Sequence, residues 1–291
     1  FRAVSIRFPY LDGHVSIDEL LADRGDVPYA DLLYAHLGDL YIDKERFDDA
    51  AQTYAAFVAR APTDTRAPAL PLQVLAASTP AQFPSRVLAA KRDFVALYGM
   101  DGAFWNGRER AGHPAVVAVV KESLSDLAAF DHAMAQAEDD DAAYLRAVEW
   151  YRRYLAWFPD DPDSAERNFL LADILLELGF FDQAAVEYRR TAYDYGPHER
   201  AAAAAYAGLL ASREHAASLP PETLDAWQAG IVTEALRFAA AFPDHEQAVP
   251  VLTKVAEDLF AAGALERATR VAGLVVTRLP PAPPEYEQTA W

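Results

Sequence analysis

Apolar residues recur at steps of three and four along most of the chain, the spacing that lays one apolar stripe along a helix. Three stretches repeat a single pattern in register. The first runs Tyr34, Leu37, Gly38, Tyr41, Ala50, Tyr54, Phe57, Pro62. The second runs Asn168, Leu171, Ala172, Leu175, Ala184, Tyr188, Thr191, Gly196. The third runs Leu252, Val255, Ala256, Leu259, Ala268, Ala272, Val275, Pro280. Each reads as two helices around a turn, placed at Lys44-Glu45-Arg46, Gly179-Phe180-Phe181 and Gly263-Ala264-Leu265. Small residues at Gly38, Ala172 and Ala256, and again at Ala50, Ala184 and Ala268, let the paired helices approach closely. The closing Pro or Gly ends the second helix. A hairpin built this way keeps one apolar side that only a stacked neighbour can cover.

Weaker copies fill much of the remainder. Residues 66–98 read as a hairpin broken near Pro80 and Pro84. Residues 113–136 and 141–157 read as two helices joined by the acidic loop Glu138 to Asp141. Residues 198–217 and 222–242 form a longer hairpin closed by Pro243. Capping boxes are expected where Ser16 precedes Glu19 and where Asp163 precedes Glu166. Residues 1–27 stand outside the repeat as a lead-in, 28–280 form the array, and 281–291 read as a linker and the start of a further, truncated repeat. The chain begins at Phe1 rather than Met and reads as a piece of a longer protein, from which a signal peptide could have been removed.

The order aromatic-x-x-Leu-Gly-x-x-Tyr followed by Ala, Tyr, Phe and Pro resembles the tetratricopeptide repeat, and the first stretch matches nearly every consensus place. The second and third lack the aromatic at the fourth place and the glycine at the eighth. The resemblance implies an all-α fold, an α-solenoid of about six helical hairpins wound as a right-handed superhelix. Arg190 to Tyr195 and the Phe-Pro ends at Phe158-Pro159 and Phe242-Pro243 further resemble bacterial cell-envelope members of that superfamily. Those members assist outer-membrane assembly, polysaccharide export or gliding motility. The resemblance therefore implies a periplasmic or outer-membrane-associated place within an envelope complex, with a cytoplasmic one as the alternative.

Charge and chemistry narrow the function further. The formal net charge is −18, from 44 acidic against 26 basic residues, and phosphate is repelled by such a surface, so nucleic acid is not expected as a partner. The absence of cysteine excludes disulfides, thiolate metal sites and cysteine nucleophiles. The longest apolar run, Ala201 to Ala211, is too short to span a membrane. The seven histidines fall in no zinc spacing, and no phosphate loop, nucleophile elbow or dinucleotide fingerprint occurs. Glu138 to Asp141 lacks the spaced ligands of a calcium loop and reads as a solvated turn. Met100 to Trp105 reads as a loop with an aromatic anchor. Neither an enzyme nor a cofactor is expected.

The family resemblance implies that the first helix of each hairpin lines a concave face. Its exposed places hold Glu166 and Phe169, then Asp39, Asp173 and Glu257, then Leu176 and Phe260, then Asp43 and Glu177. Asp39 with Asp43, and Asp173 with Glu177, are like charges four apart on one helix face, a pairing that costs helix stability. A groove mixing acid with apolar patches is expected, suited to a protein or peptide partner of basic character. A solvated acidic face is the plainer reading of the same residues. The alternative function is a carrier that holds an apolar ligand such as a lipid in its helical groove.

Overall fold

The computed structural model describes residues 13–25, 27–61, 64, 67–69, 84–277 and 285. Among them all regular structure is helical and no strand occurs. The chain divides into two compact units, 1–134 and 135–291.

In the first unit α1 (His14–Arg24) buries Ile17 and Leu21, one turn apart, against α2 (Ala30–Asp43) and α3 (Phe47–Arg60). The Tyr34 hydroxyl donates to the Asp18 carboxylate and ties α1 to α2. α2 buries Leu33, Tyr34, Leu37, Gly38 and Tyr41, and α3 buries Ala50, Tyr54, Phe57 and Val58. All but Leu33 and Val58 are stripe positions expected from the sequence. Between the helices Glu45 adopts a left-handed φ of 57°, which lets three residues reverse the chain. Close approach is most severe at Gly38, where a Cβ would overlap the Tyr54 ring. The helix α4 (Pro84–Tyr98) follows, and the expected break near Pro80 lies outside the described residues.

After α4, two short 3₁₀ turns, Ala103–Trp105 and Arg110–Gly112, fold the loop onto an aromatic cluster. Phe104 meets Tyr98, Trp105 and His113 edge to face, with centroids 5.2, 5.1 and 5.2 Å away. The Trp105 indole donates to the Tyr98 carbonyl at 2.9 Å, so the expected aromatic anchor is present. α5 (Pro114–Glu138) carries the chain across the division. Its Glu122 and Asp126 both receive the Lys91 ammonium of α4, which lies nearly out of solvent.

In the second unit α6 (Asp141–Trp157), α7 (Ser164–Glu177), α8 (Phe181–Tyr193), α9 (Ala201–Ser218), α10 (Pro221–Ala241), α11 (Ala248–Ala261) and α12 (Leu265–Val276) each pack against the next. The acidic loop before α6 is a turn whose Asp140 caps the helix by accepting from the Ala142 amide at 2.9 Å. The hairpins α7/α8 and α11/α12 have the expected register, with Ala172, Ala184 and Ala268 buried between helices. Gly179 and Gly263 take φ of 73° and 74°, so both turns use a conformation glycine adopts without strain.

Two local expectations are corrected. The Asp163 side chain makes no capping hydrogen bond, because Asp163 has helical dihedrals and its neighbour Asp161 takes the turn instead. The Asp161 carboxylate accepts both the Asp163 amide at 3.0 Å and the Tyr154 hydroxyl at 2.8 Å. At the first expected box, Gly13 precedes the helix and Ser16 lies within it, so Ser16 does not occupy the capping place. The expected linker 281–291 lies outside the described residues, Glu285 excepted.

Candidate functional site

The outward face of α7 begins with its anchoring. The Ser164 hydroxyl donates to the Phe158 carbonyl at 2.7 Å, and the Arg167 guanidinium stands 5.9 Å over the Tyr154 ring. Within the same first turn, Glu166 meets Arg200, the residue that precedes α9. Two charge-assisted bonds join them, Nε to Oε2 at 2.9 Å and a terminal nitrogen to Oε1 at 3.0 Å. This fork fixes the guanidinium plane. Arg200 then stands 5.0 Å over the centroid of Phe169. Phe169 in turn meets the Tyr188 ring at 67° and 5.6 Å, and the Tyr188 hydroxyl donates to the Asp173 carboxylate. Side chains from α7, α8 and the start of α9 thus form one chain of contacts: Glu166, Arg200, Phe169, Tyr188, Asp173.

Electrostatics at Asp173 follow from burial. Desolvation raises its pKa above the ordinary aspartate range, and the Tyr188 hydrogen bond and the Arg200 charge pull the other way. Tyr188 is itself pushed up, first by burial and then by its bond to Asp173. A carboxyl whose folded pKa is raised favours the fold when protonated. Its contribution is fully present below the ordinary aspartate pKa and is lost as pH rises through the folded value. Asp173→Asn keeps an acceptor for Tyr188 and removes the charge. The expected result is a denaturation midpoint above wild type at neutral pH, with the gap closing in acid below the aspartate range. Urea titrations at both pH values measure it.

The positions chosen from the sequence do not all fall together. Glu166, Phe169 and Asp173 belong to the contact chain, and Leu176, half-buried, and Glu177, exposed, continue along α7. Glu177 bonds to no described residue, and its charge acts on Asp173 and Tyr188. Glu257 and Phe260 lie in α11 and take no part in that chain of contacts, although Phe260 is 68 % exposed. Asp39 and Asp43 lie in the first unit. There Asp39 repeats the Asp173 arrangement, accepting from the Tyr54 hydroxyl at 3.0 Å, while Asp43 is exposed.

Two kinds of residue in these contacts were missed by reading the first helices alone. Tyr54 and Tyr188 each follow their aspartate by 15 residues, a spacing visible in the sequence. Arg200 follows Glu166 by 34 residues and had no other signal. The site presents acceptors, a forked guanidinium and a half-buried aromatic edge, which suit recognition of a polar, partly apolar surface. Among the described residues no group of three or more His, Asp or Glu side chains is placed to hold a metal ion. No described helix is long and apolar enough to cross a membrane. No model of a known protein family matches the chain, and no curated protein matches it.

Proposed function

We propose that this chain is a non-catalytic scaffold of the tetratricopeptide type, which holds a segment of a partner protein against the first helices of its hairpins. The observation that carries the reading is the contact chain on α7. Phe169 is held between Arg200 and Tyr188, and the acids Glu166 and Asp173 flank it in fixed geometry. A preorganised aromatic with acids on both sides needs little further ordering to bind, and loss of ordering freedom is a main penalty of association. With Glu166 paired to Arg200, Asp173 and Glu177 favour a segment carrying Lys or Arg beside an apolar residue, and the aromatic supplies the anchor on which affinity concentrates.

The solenoid reading is supported by the repeat register and by the pair Glu166–Arg200, whose separation of 34 residues equals the length of a tetratricopeptide repeat. Equivalent places in successive hairpins would then meet side by side. A position in a bacterial envelope complex rests on the sequence resemblance and on the lack of cysteine, which suits an exported protein.

The test is selection of short random peptides against the immobilised whole chain, followed by affinity measurement on the enriched sequences. Enrichment of Lys or Arg next to aromatic or aliphatic residues is expected. Phe169→Ala should weaken binding by about tenfold or more, since truncating a central anchor typically removes over 1 kcal/mol. Circular dichroism establishes that the variant is folded. Lack of enrichment, or peptides that bind wild type and folded Phe169→Ala alike, would remove the reading.

A further inference from the structure

A concavity lined by no residue of α7 lies elsewhere in the second unit. A cleft of about 760 Å³ opens among the C-terminal half of α9, α10 and the α11/α12 hairpin. That volume lies in the range of small-molecule sites, which are mostly apolar with a few convergent polar groups. Its apolar lining comes from Ile231 and Val232 of α10 and from Val255 and Leu259 of α11. Three cations also line it, Arg213, Lys254 and Arg267, in a chain whose net charge is −18. The acids that line it are Asp225 and Asp258. Asp258 is committed to Lys254 one helical turn away. Asp225 pairs with neither arginine, and among the described residues Arg213 and Arg267 have no ion-pair partner. One terminal nitrogen of Arg213 is closed off from water and meets no acceptor.

Each of these features departs from what a merely solvated surface needs. A guanidinium carries five donors, and leaving one buried and unmet is unfavourable by the full desolvation of that group. The protein supplies no carboxylate to Arg213, although acids outnumber bases along the chain by 44 to 26. An anion in the cleft would meet the two arginines that line it without an ion-pair partner, Arg213 and Arg267. The apolar lining calls for a hydrocarbon body attached to it.

We propose that this cleft is a binding site for a small amphiphilic anion, a carboxylate on an aliphatic chain of the medium-chain fatty-acid type. The carboxylate lies between Arg213 and Arg267, and the aliphatic chain runs over Ile231 and the alanines Ala229, Ala261 and Ala262. The site is separate from the α7 face and does not depend on the scaffold reading.

The test titrates the whole chain calorimetrically with decanoate below its micellar range, and in parallel with 1-decanol and decyltrimethylammonium. The three probes share a tail and differ in head charge. Saturable binding of decanoate at one site is expected, with the neutral and cationic probes at least about tenfold weaker, the loss of one charge-assisted hydrogen bond. Arg267→Gln, at an exposed position, should reduce the preference for decanoate over decanol. Arg213→Gln should do the same where circular dichroism shows it folded. Ala229→Trp, which places a ring in the cleft, should remove binding of all three. Absence of saturable binding to wild type, equal affinity for the three heads, a preference unmoved by Arg267→Gln, or full affinity in folded Ala229→Trp would each overturn the proposal.

Discussion

Gly38→Ala is expected to lower stability by about 2–3 kcal/mol, the upper part of the range for overpacking a closed core. A Cβ at this position would overlap ring atoms of Tyr54. Tyr54 is fully buried, and its hydroxyl is held by Asp39 at 3.0 Å, so the ring cannot step aside without breaking that bond. The helical preference of Ala over Gly, about 1 kcal/mol, offsets only part of the clash. Gly208 supplies the control. It also sits in a helix, but its Cβ would stand 3.2 Å from the Tyr188 Cβ, a contact that small shifts absorb. Gly208→Ala should therefore be near neutral. Denaturant midpoints for the two variants separate steric overlap from propensity. A Gly38→Ala midpoint equal to wild type would mean that α2 and α3 do not approach as closely as described.

The second large effect concerns a contact that the three hairpins solve with different chemistry. At equivalent places the first hairpin packs Tyr34 against Phe57, the rings tilted by 45° with centroids 5.6 Å apart. The second buries Asn168, whose amide donates to the Glu187 carbonyl at 2.7 Å and to the Thr191 hydroxyl at 2.9 Å. The third has Leu252 and Val275, both buried. Asn168→Leu keeps the bulk and removes both donors, leaving Thr191 beside an apolar group in a closed site. The expected loss is about 2–3 kcal/mol, from two broken bonds, although the Thr191 hydroxyl keeps its own donation to the Glu187 carbonyl at 2.9 Å. The double variant Asn168→Leu with Thr191→Val installs the pair of the third hairpin and should recover a measurable part of that loss. Such a positive coupling is read from a double-mutant cycle. Strictly additive losses would show that the two side chains act independently.

These two sites also mark what the sequence made legible. The helical hairpins were readable because burial follows three- and four-residue steps, and Leu37, Tyr41, Leu171 and Leu175 fall on the inward face as the steps require. The turns were readable because three residues suffice when one adopts a left-handed conformation, as Glu45, Gly179 and Gly263 do. Roles of polar side chains were harder to read. The repeat register reads Asp39 and Asp173 as exposed groove acids, yet each accepts a hydrogen bond from a tyrosine of the second helix, so each also ties its own hairpin together. In the third hairpin that tyrosine is replaced by Ala272, and Glu257 remains exposed without it. Local spacing assigns Glu166 to a capping box, but Arg200 lies outside any local window and outcompetes a backbone amide with two charge-assisted bonds. Partners that are remote in sequence decide what a charged side chain does, and periodicity alone does not record them.

The proposed function has the acids and the aromatic edge of α7 capturing a basic, partly apolar segment. Its most direct measurement is the affinity of one selected peptide for wild type and for Asp173→Asn with Glu177→Gln, at low and at high salt. The amide that replaces the Asp173 carboxylate can still accept from Tyr188, so the fold is retained while both charges are lost. Wild-type affinity should fall steeply as salt screens the carboxylates, the double variant should bind several-fold more weakly at low salt, and the two should converge at high salt. Equal affinities with equal salt dependence would contradict the claim and leave those acids as a solvated face.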